Sequence, residues 1–233
     1  MKARRRLLVA LTALALLAGT SPLLFAEVLY RYALAELGQP PAPPGHRSSS
    51  LLTTAFWLAA GERFPQRSEP LAAWQYGWAL AYGRPAPHLD RPGERVALLT
   101  ARQWLSNRAP VRHTKYPLLL WAATVWTSRH WDAFQTTQVW MDTAYLGRGA
   151  RGVAAGAAAY FGKPAEELSL DEIALLVGLA RSPSGLDPTC SPERAQRARN
   201  RVLEQLLTGG VISATDYHAA VGRPLTAAWR SCP

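Results

Sequence analysis

Acid is scarce in this chain. Sixteen aspartates and glutamates stand against 26 lysines and arginines, a formal charge of +10 with a pI near 10.2. Cysteine is nearly absent, with two residues, and the five histidines form no metal pair, so no metal centre is expected. Sustained apolar–polar alternation is missing as well, which leaves little room for β structure. No nucleic-acid recognition motif is present either. The positive charge therefore points to other polyanions, and anionic lipid head groups or a pyrophosphate-linked substrate fit better than nucleic acid. What the chain has in quantity is apolar surface. Hydrophobic residues make up 48% of its 233 positions, enough for one domain with a sizeable core plus an appendage. Most of the nine tryptophans are expected in that core, and some at a membrane interface.

The N-terminus supplies the appendage. Met1 to Arg6 is a basic cluster, and Leu7 to Ala26 carries no charge. That run is about the length needed to cross a bilayer as a helix. Basic residues before such a span keep their end in the cytoplasm, which places the remainder on the periplasmic or extracellular side. A cleaved signal peptide is the competing reading, but Leu24-Phe25-Ala26 before Glu27 is a poor cleavage site. Residues 1–26 are therefore expected to be an uncleaved single-pass anchor in the cytoplasmic membrane. In an oxidising compartment Cys190 and Cys232 either pair or remain two unrelated thiols.

Beyond the anchor, residues 27–49 read as a short helical continuation followed by a stiff Pro-rich linker. Residues 50–233 read as one helical domain. Leu51–Ala60, Leu71–Tyr82, Val96–Asn107 and Leu118–Trp131 are apolar segments punctuated by Pro or Gly. Further on, Ser169 with Glu172 forms a capping box, and Ser191-Pro192 opens a helix that Gly209-Gly210 closes. Ser213 with Asp216 opens another short helix. Arg194, Arg197, Arg199 and Arg201 read as the solvated basic face of the helix between them.

Residues 140–163, WMDTAYLGRGARGVAAGAAAYFGK, are the most informative segment. Glycines 147, 149 and 152 let backbone approach backbone or ligand closely, and Arg148 and Arg151 between them carry planar forks suited to phosphate or carboxylate. A tight turn between helices, with small residues for packing alone, is the plainer alternative. The segment resembles the fourth motif of the peptidoglycan glycosyltransferases, the family-51 transglycosylase domain of class A penicillin-binding proteins and monofunctional transglycosylases. The likeness continues through Leu168–Glu172, Leu175–Ala180, Ser182–Pro188, Pro192–Ala195 and Arg199–Leu203, covering roughly residues 138–225. Upstream it is weak.

The resemblance implies a mainly α, lysozyme-like, two-lobed glycosyltransferase domain behind an N-terminal transmembrane helix. The family joins lipid-linked disaccharides, using a glutamate as base and cationic or metal assistance for the departing pyrophosphate. Here the acidic pair of the first motif falls on Ala60 and Gly61, or its base on Leu58, depending on the alignment. The later glutamate falls on Ser128, and an earlier one on Leu119 or Leu120. Both catalytic carboxylates are thus expected to be missing, with Glu62 the nearest candidate for a relocated base. Gln103, Asn107 and Lys115 match motif positions, and with Arg148 and Arg151 they form the expected substrate-binding set. Asp142 stands in for a motif asparagine.

Three functions follow from this reading. The first is a catalytically impaired glycosyltransferase-like protein of cell-wall assembly, binding lipid-linked precursor, glycan or a synthase partner. The second is an active divergent transglycosylase, for which a divalent cation is a candidate cofactor; otherwise no cofactor is expected. The third is a membrane scaffold that binds no glycan.

Overall fold

The computed structural model describes residues 23–42, 45, 47–74, 91–106, 115–225 and 232. The described chain is mainly helical. α1 (residues 23–37) runs unbroken across the expected boundary at 26/27 between the anchor and the juxtamembrane helix. It buries Ala26, Tyr30, Ala33 and Leu37, spaced four, three and four apart so that they form one helical stripe. Residues 7–22 of the expected span lie outside the described residues. Among the described residues no helix is long and apolar enough to cross a membrane.

The helices that follow are α2 (Ser50–Ala59), α3 (Glu94–Ser106), α4 (Tyr116–His130) and α5 (Ala133–Thr143). Most of the expected Leu71–Tyr82 helix, residues 75–82, lies outside the described residues. Next come a hairpin of β1 (Tyr145–Gly147) and β2 (Ala150–Arg151), then α6 (Val153–Phe161), α7 (Leu170–Leu179), α8 (Pro192–Thr208) and α9 (Ala214–Gly222). The N-termini of α5 and α9 carry reciprocal caps. Asp132 accepts from the Gln135 N–H at 2.7 Å while Gln135 accepts from the Asp132 N–H at 3.1 Å. Ser213 and Asp216 repeat the arrangement at α9. At α7, Glu172 reaches back to the Ser169 N–H at 2.7 Å.

Apolar burial divides into two clusters. The larger gathers α2, α5, α6, α7 and α8 around Phe56, Trp57, Trp140, Leu146, Tyr160 and Leu176. The smaller joins α1, Leu71 and Ala73 to α3 and α4 through Tyr30, Trp104 and Trp121. α3 belongs to both, giving Val96 to the larger and Ala101, Trp104 and Leu105 to the smaller. Arg129 ties the smaller cluster together. Its Nε donates to the Leu71 carbonyl at 2.9 Å, its Nη1 meets Glu27 at 3.5 Å, and its guanidinium lies 4.8 Å from the Tyr30 ring centre.

Two expectations are corrected here. The glycine-rich segment is a β-hairpin leading into α6, not a plain turn between helices. Gly152 is required there, because at φ +79° a Cβ would stand 2.5 Å from the Asp142 carbonyl oxygen. Arg199 does not belong to a solvated face. It is 1% exposed and donates to the carbonyls of Arg223 at 2.8 Å and Val221 at 3.0 Å, pinning the end of α9.

Candidate functional site

A groove of about 670 Å3 opens between the end of α2, one face of α3, the hairpin and the loop after α7. α3 contributes Arg95, Leu98, Leu99, Arg102, Gln103 and Ser106, whose three-and-one spacing keeps them on a single helical face. Ala59 and Ala60 come from α2, Tyr145 and Arg151 from the hairpin, and Arg181 and Pro183 from the loop. Four arginines therefore line the groove, and among the described residues lining it none is acidic.

Two of these arginines act on the end of α2. The last carbonyls of a helix lack intrahelical partners and carry its negative dipole end. Arg95 Nη1 donates to the Gly61 carbonyl at 3.1 Å, and Arg181 Nη1 to the Ala59 carbonyl at 3.3 Å. The positions expected to hold the acidic pair are thus neutral residues flanked by guanidiniums. Across the groove, the Arg151 guanidinium lies 5.6 Å from the Tyr145 ring centre. Ser128 stands away from the groove. Its hydroxyl donates to the Val125 carbonyl and accepts from the Leu71 N–H at 3.1 Å. Leu119 and Leu120 pack in or against the smaller cluster.

The expected binding set is divided by the fold. Gln103 and Arg151 line the groove, whereas Asn107 lies outside the described residues. Lys115 does not line it and pairs with Glu36 of α1 at 2.9 Å. Arg148 is turned inward: Nε meets Asp187 at 2.7 Å, Nη2 reaches the same carboxylate at 3.1 Å, and Nη2 also bonds Thr189. Burial acts to raise the Asp187 pKa, but the hydrogen bonds from Arg148 and Thr189 outweigh it and hold the carboxyl at about 2. Burial pushes the neighbouring Tyr160 hydroxyl up to about 12, and that hydroxyl donates to the Leu146 carbonyl at 2.9 Å.

Glu62 lines an adjoining pocket of about 320 Å3 that shares Arg95 with the groove, and its carboxylate is occupied by backbone. Its two carboxylate oxygens accept from the N–H groups of Gly93 at 3.0 Å and Arg95 at 2.8 Å, capping the start of α3. Glu94, 3% exposed, is pushed by burial up to about 7, but it shares its face of α3 with buried Ala97 and Ala101 rather than with the groove residues. Asp142 accepts from Gln138 Nε2 at 3.0 Å. Arg95, Arg102 and Arg181 are groove residues that the sequence reading does not single out. The first two carry a signal, since positions 95, 98, 99, 102, 103 and 106 repeat at helical spacing; Arg181 carries none.

The transglycosylase family model matches residues 102–207. Penicillin-binding protein 1A of Aquifex aeolicus is 45% identical over 98 residues, 42% of this chain and 14% of that protein. The protein of the same name from Pseudomonas aeruginosa is 30% identical over 142 residues, 61% of this chain and 17% of its own length. A candidate transglycosylase of Cupriavidus necator is 40% identical over 88 residues, 38% of each chain. Over residues 102–207 this chain is similar to the transglycosylase domains of these relatives. Arg102, Gln103, Arg151 and Arg181 of the groove fall inside this transglycosylase match, and Ala59, Ala60 and Arg95 precede it. The chain spans only 14–38% of the length of these relatives.

Proposed function

We propose that this protein serves cell-wall assembly by binding lipid-linked peptidoglycan precursor or glycan without polymerising it. One observation carries the reading: the groove is lined by four arginines and, among its described residues, by no carboxylate. A base that deprotonates a sugar hydroxyl must sit within hydrogen-bond reach of it, and losing such a base typically removes about 10²–10⁴-fold of rate. Guanidiniums do not accept protons near neutral pH, but they hold phosphate and carboxylate well. Gln103, Arg102 and Arg151 are the binding residues proposed here.

The rest of the proposal follows the family. Residues 1–26 are the anchor in the cytoplasmic membrane, residues 27–49 the juxtamembrane helix and linker, and residues 50–233 a lysozyme-like domain of two lobes outside it. The division of the apolar core into two clusters supports the two lobes. Other cell-wall synthases are the protein partners that fit.

The test mixes the full chain in detergent with labelled lipid-linked disaccharide. The expected result is saturable binding with no chain growth above background. Polymerisation that Glu62→Gln abolishes in a folded protein would make the chain an active enzyme with a relocated base. Absence of any binding would favour the scaffold.

A further inference from the structure

We infer that the groove selects an acidic saccharide, a glycan bearing carboxylates, over a neutral one; this rests on the reading of the groove as a glycan site. The charge at the end of α2 carries the argument. A polymerising site needs a carboxylate beside the acceptor sugar, which is compatible with a neutral, hydroxyl-rich ligand. Here Arg95 and Arg181 are fixed against the Gly61 and Ala59 carbonyls at that same place. Arg102 of α3 and Arg151 of the hairpin add two more cations to the groove.

A neutral hydroxyl compensates poorly for displacing water from a guanidinium. A carboxylate accepts two parallel N–H bonds from the planar fork, and such charge-assisted pairs are about twice as strong as neutral ones. The cations lining the groove are arginine throughout, the residue whose geometry reads a planar anion rather than a point charge. Tyr145, 38% exposed, and Leu98 supply apolar surface for a pyranose face. At about 670 Å3 the groove falls in the size range of ordinary ligand sites.

Calorimetric titration of the full chain in detergent at low salt tests this with three probes: tetragalacturonate, the neutral chitotetraose, and inorganic pyrophosphate. Tetragalacturonate is expected to bind about tenfold or more tightly than chitotetraose, and the gap to narrow at high salt as the charges are screened. The Arg95→Gln, Arg181→Gln double variant is expected to lose the preference. Because those two arginines also hold α2, Arg102→Ala, at an exposed position of α3, carries the same expectation without touching α2. Equal affinity for the two tetrasaccharides overturns the inference and leaves the glycan reading standing. Full preference retained in both variants overturns it as well. If neither tetrasaccharide binds, with or without binding of pyrophosphate, the inference and the glycan reading fall together.

Discussion

The Arg148 and Asp187 side chains are 7% and 6% exposed, so removing either one strands a buried charge. Arg148→Ala is expected to cost about 3–5 kcal/mol of stability, measured by denaturant titration. The pair also makes stability depend on pH. The Asp187 carboxyl titrates at about 2 in the folded chain, below its ordinary range. A depressed folded pKa contributes stability that is complete above the unfolded value and is lost as pH falls through the folded one. Roughly 2 kcal/mol should therefore disappear between about pH 4 and pH 2. Thermal melts across that range should show the loss in the wild type, and Asp187→Asn should flatten this contribution. A slope unchanged by the substitution would mean the pair does not set it.

At the scale of elements, α3 decides most. One of its faces lines the groove, its other faces contribute to both apolar clusters, and its first turn is capped from outside by Glu62. A carboxylate accepting two N–H bonds at a helix start combines capping with a favourable position on the helix dipole. Glu62→Gln keeps one acceptor and loses the charge, so it should lower stability by about 1 kcal/mol. Precursor affinity should stay within error of the wild type, because the carboxylate faces α3's backbone. A fall in affinity at unchanged stability would give Glu62 a part in the groove.

At the scale of the whole molecule, Cys190 and Cys232 are joined. The bond closes a loop of 42 residues and ties the C-terminal end of the chain to the turn before α8. The same turn holds Asp187 and Thr189, so the link lies beside the bonds that fix the hairpin. In the chain-entropy account a loop of this size contributes about 4 kcal/mol. Cys232→Ala should lower the denaturation midpoint accordingly, and wild-type protein should resist thiol labelling until it is reduced. Full labelling without reductant would remove the link from the native protein.

Much of the helical domain was legible locally. The Ser169–Glu172 and Ser213–Asp216 boxes act through groups three residues apart, so sequence alone suffices to place the starts of α7 and α9. The Asp132–Gln135 box at α5 is of the same kind and equally readable. The hairpin was not, because strands of three and two residues are too short to show a period. The lack of acid at Ala59, Ala60 and Gly61 is written in the chain itself. What replaces it is not, since Arg95 and Arg181 reach that place from 34 and 122 residues away. Arg148, Arg151 and Arg199 are chemically alike in sequence, yet one is paired with Asp187, one lines the groove, and one holds the end of α9. Sequence determined that the chain would be mainly helical and basic, with no acid at Ala59, Ala60 or Gly61. Only tertiary contact decided which arginines face a ligand, because a guanidinium's role depends on the carbonyl, carboxylate or open groove the fold brings to it.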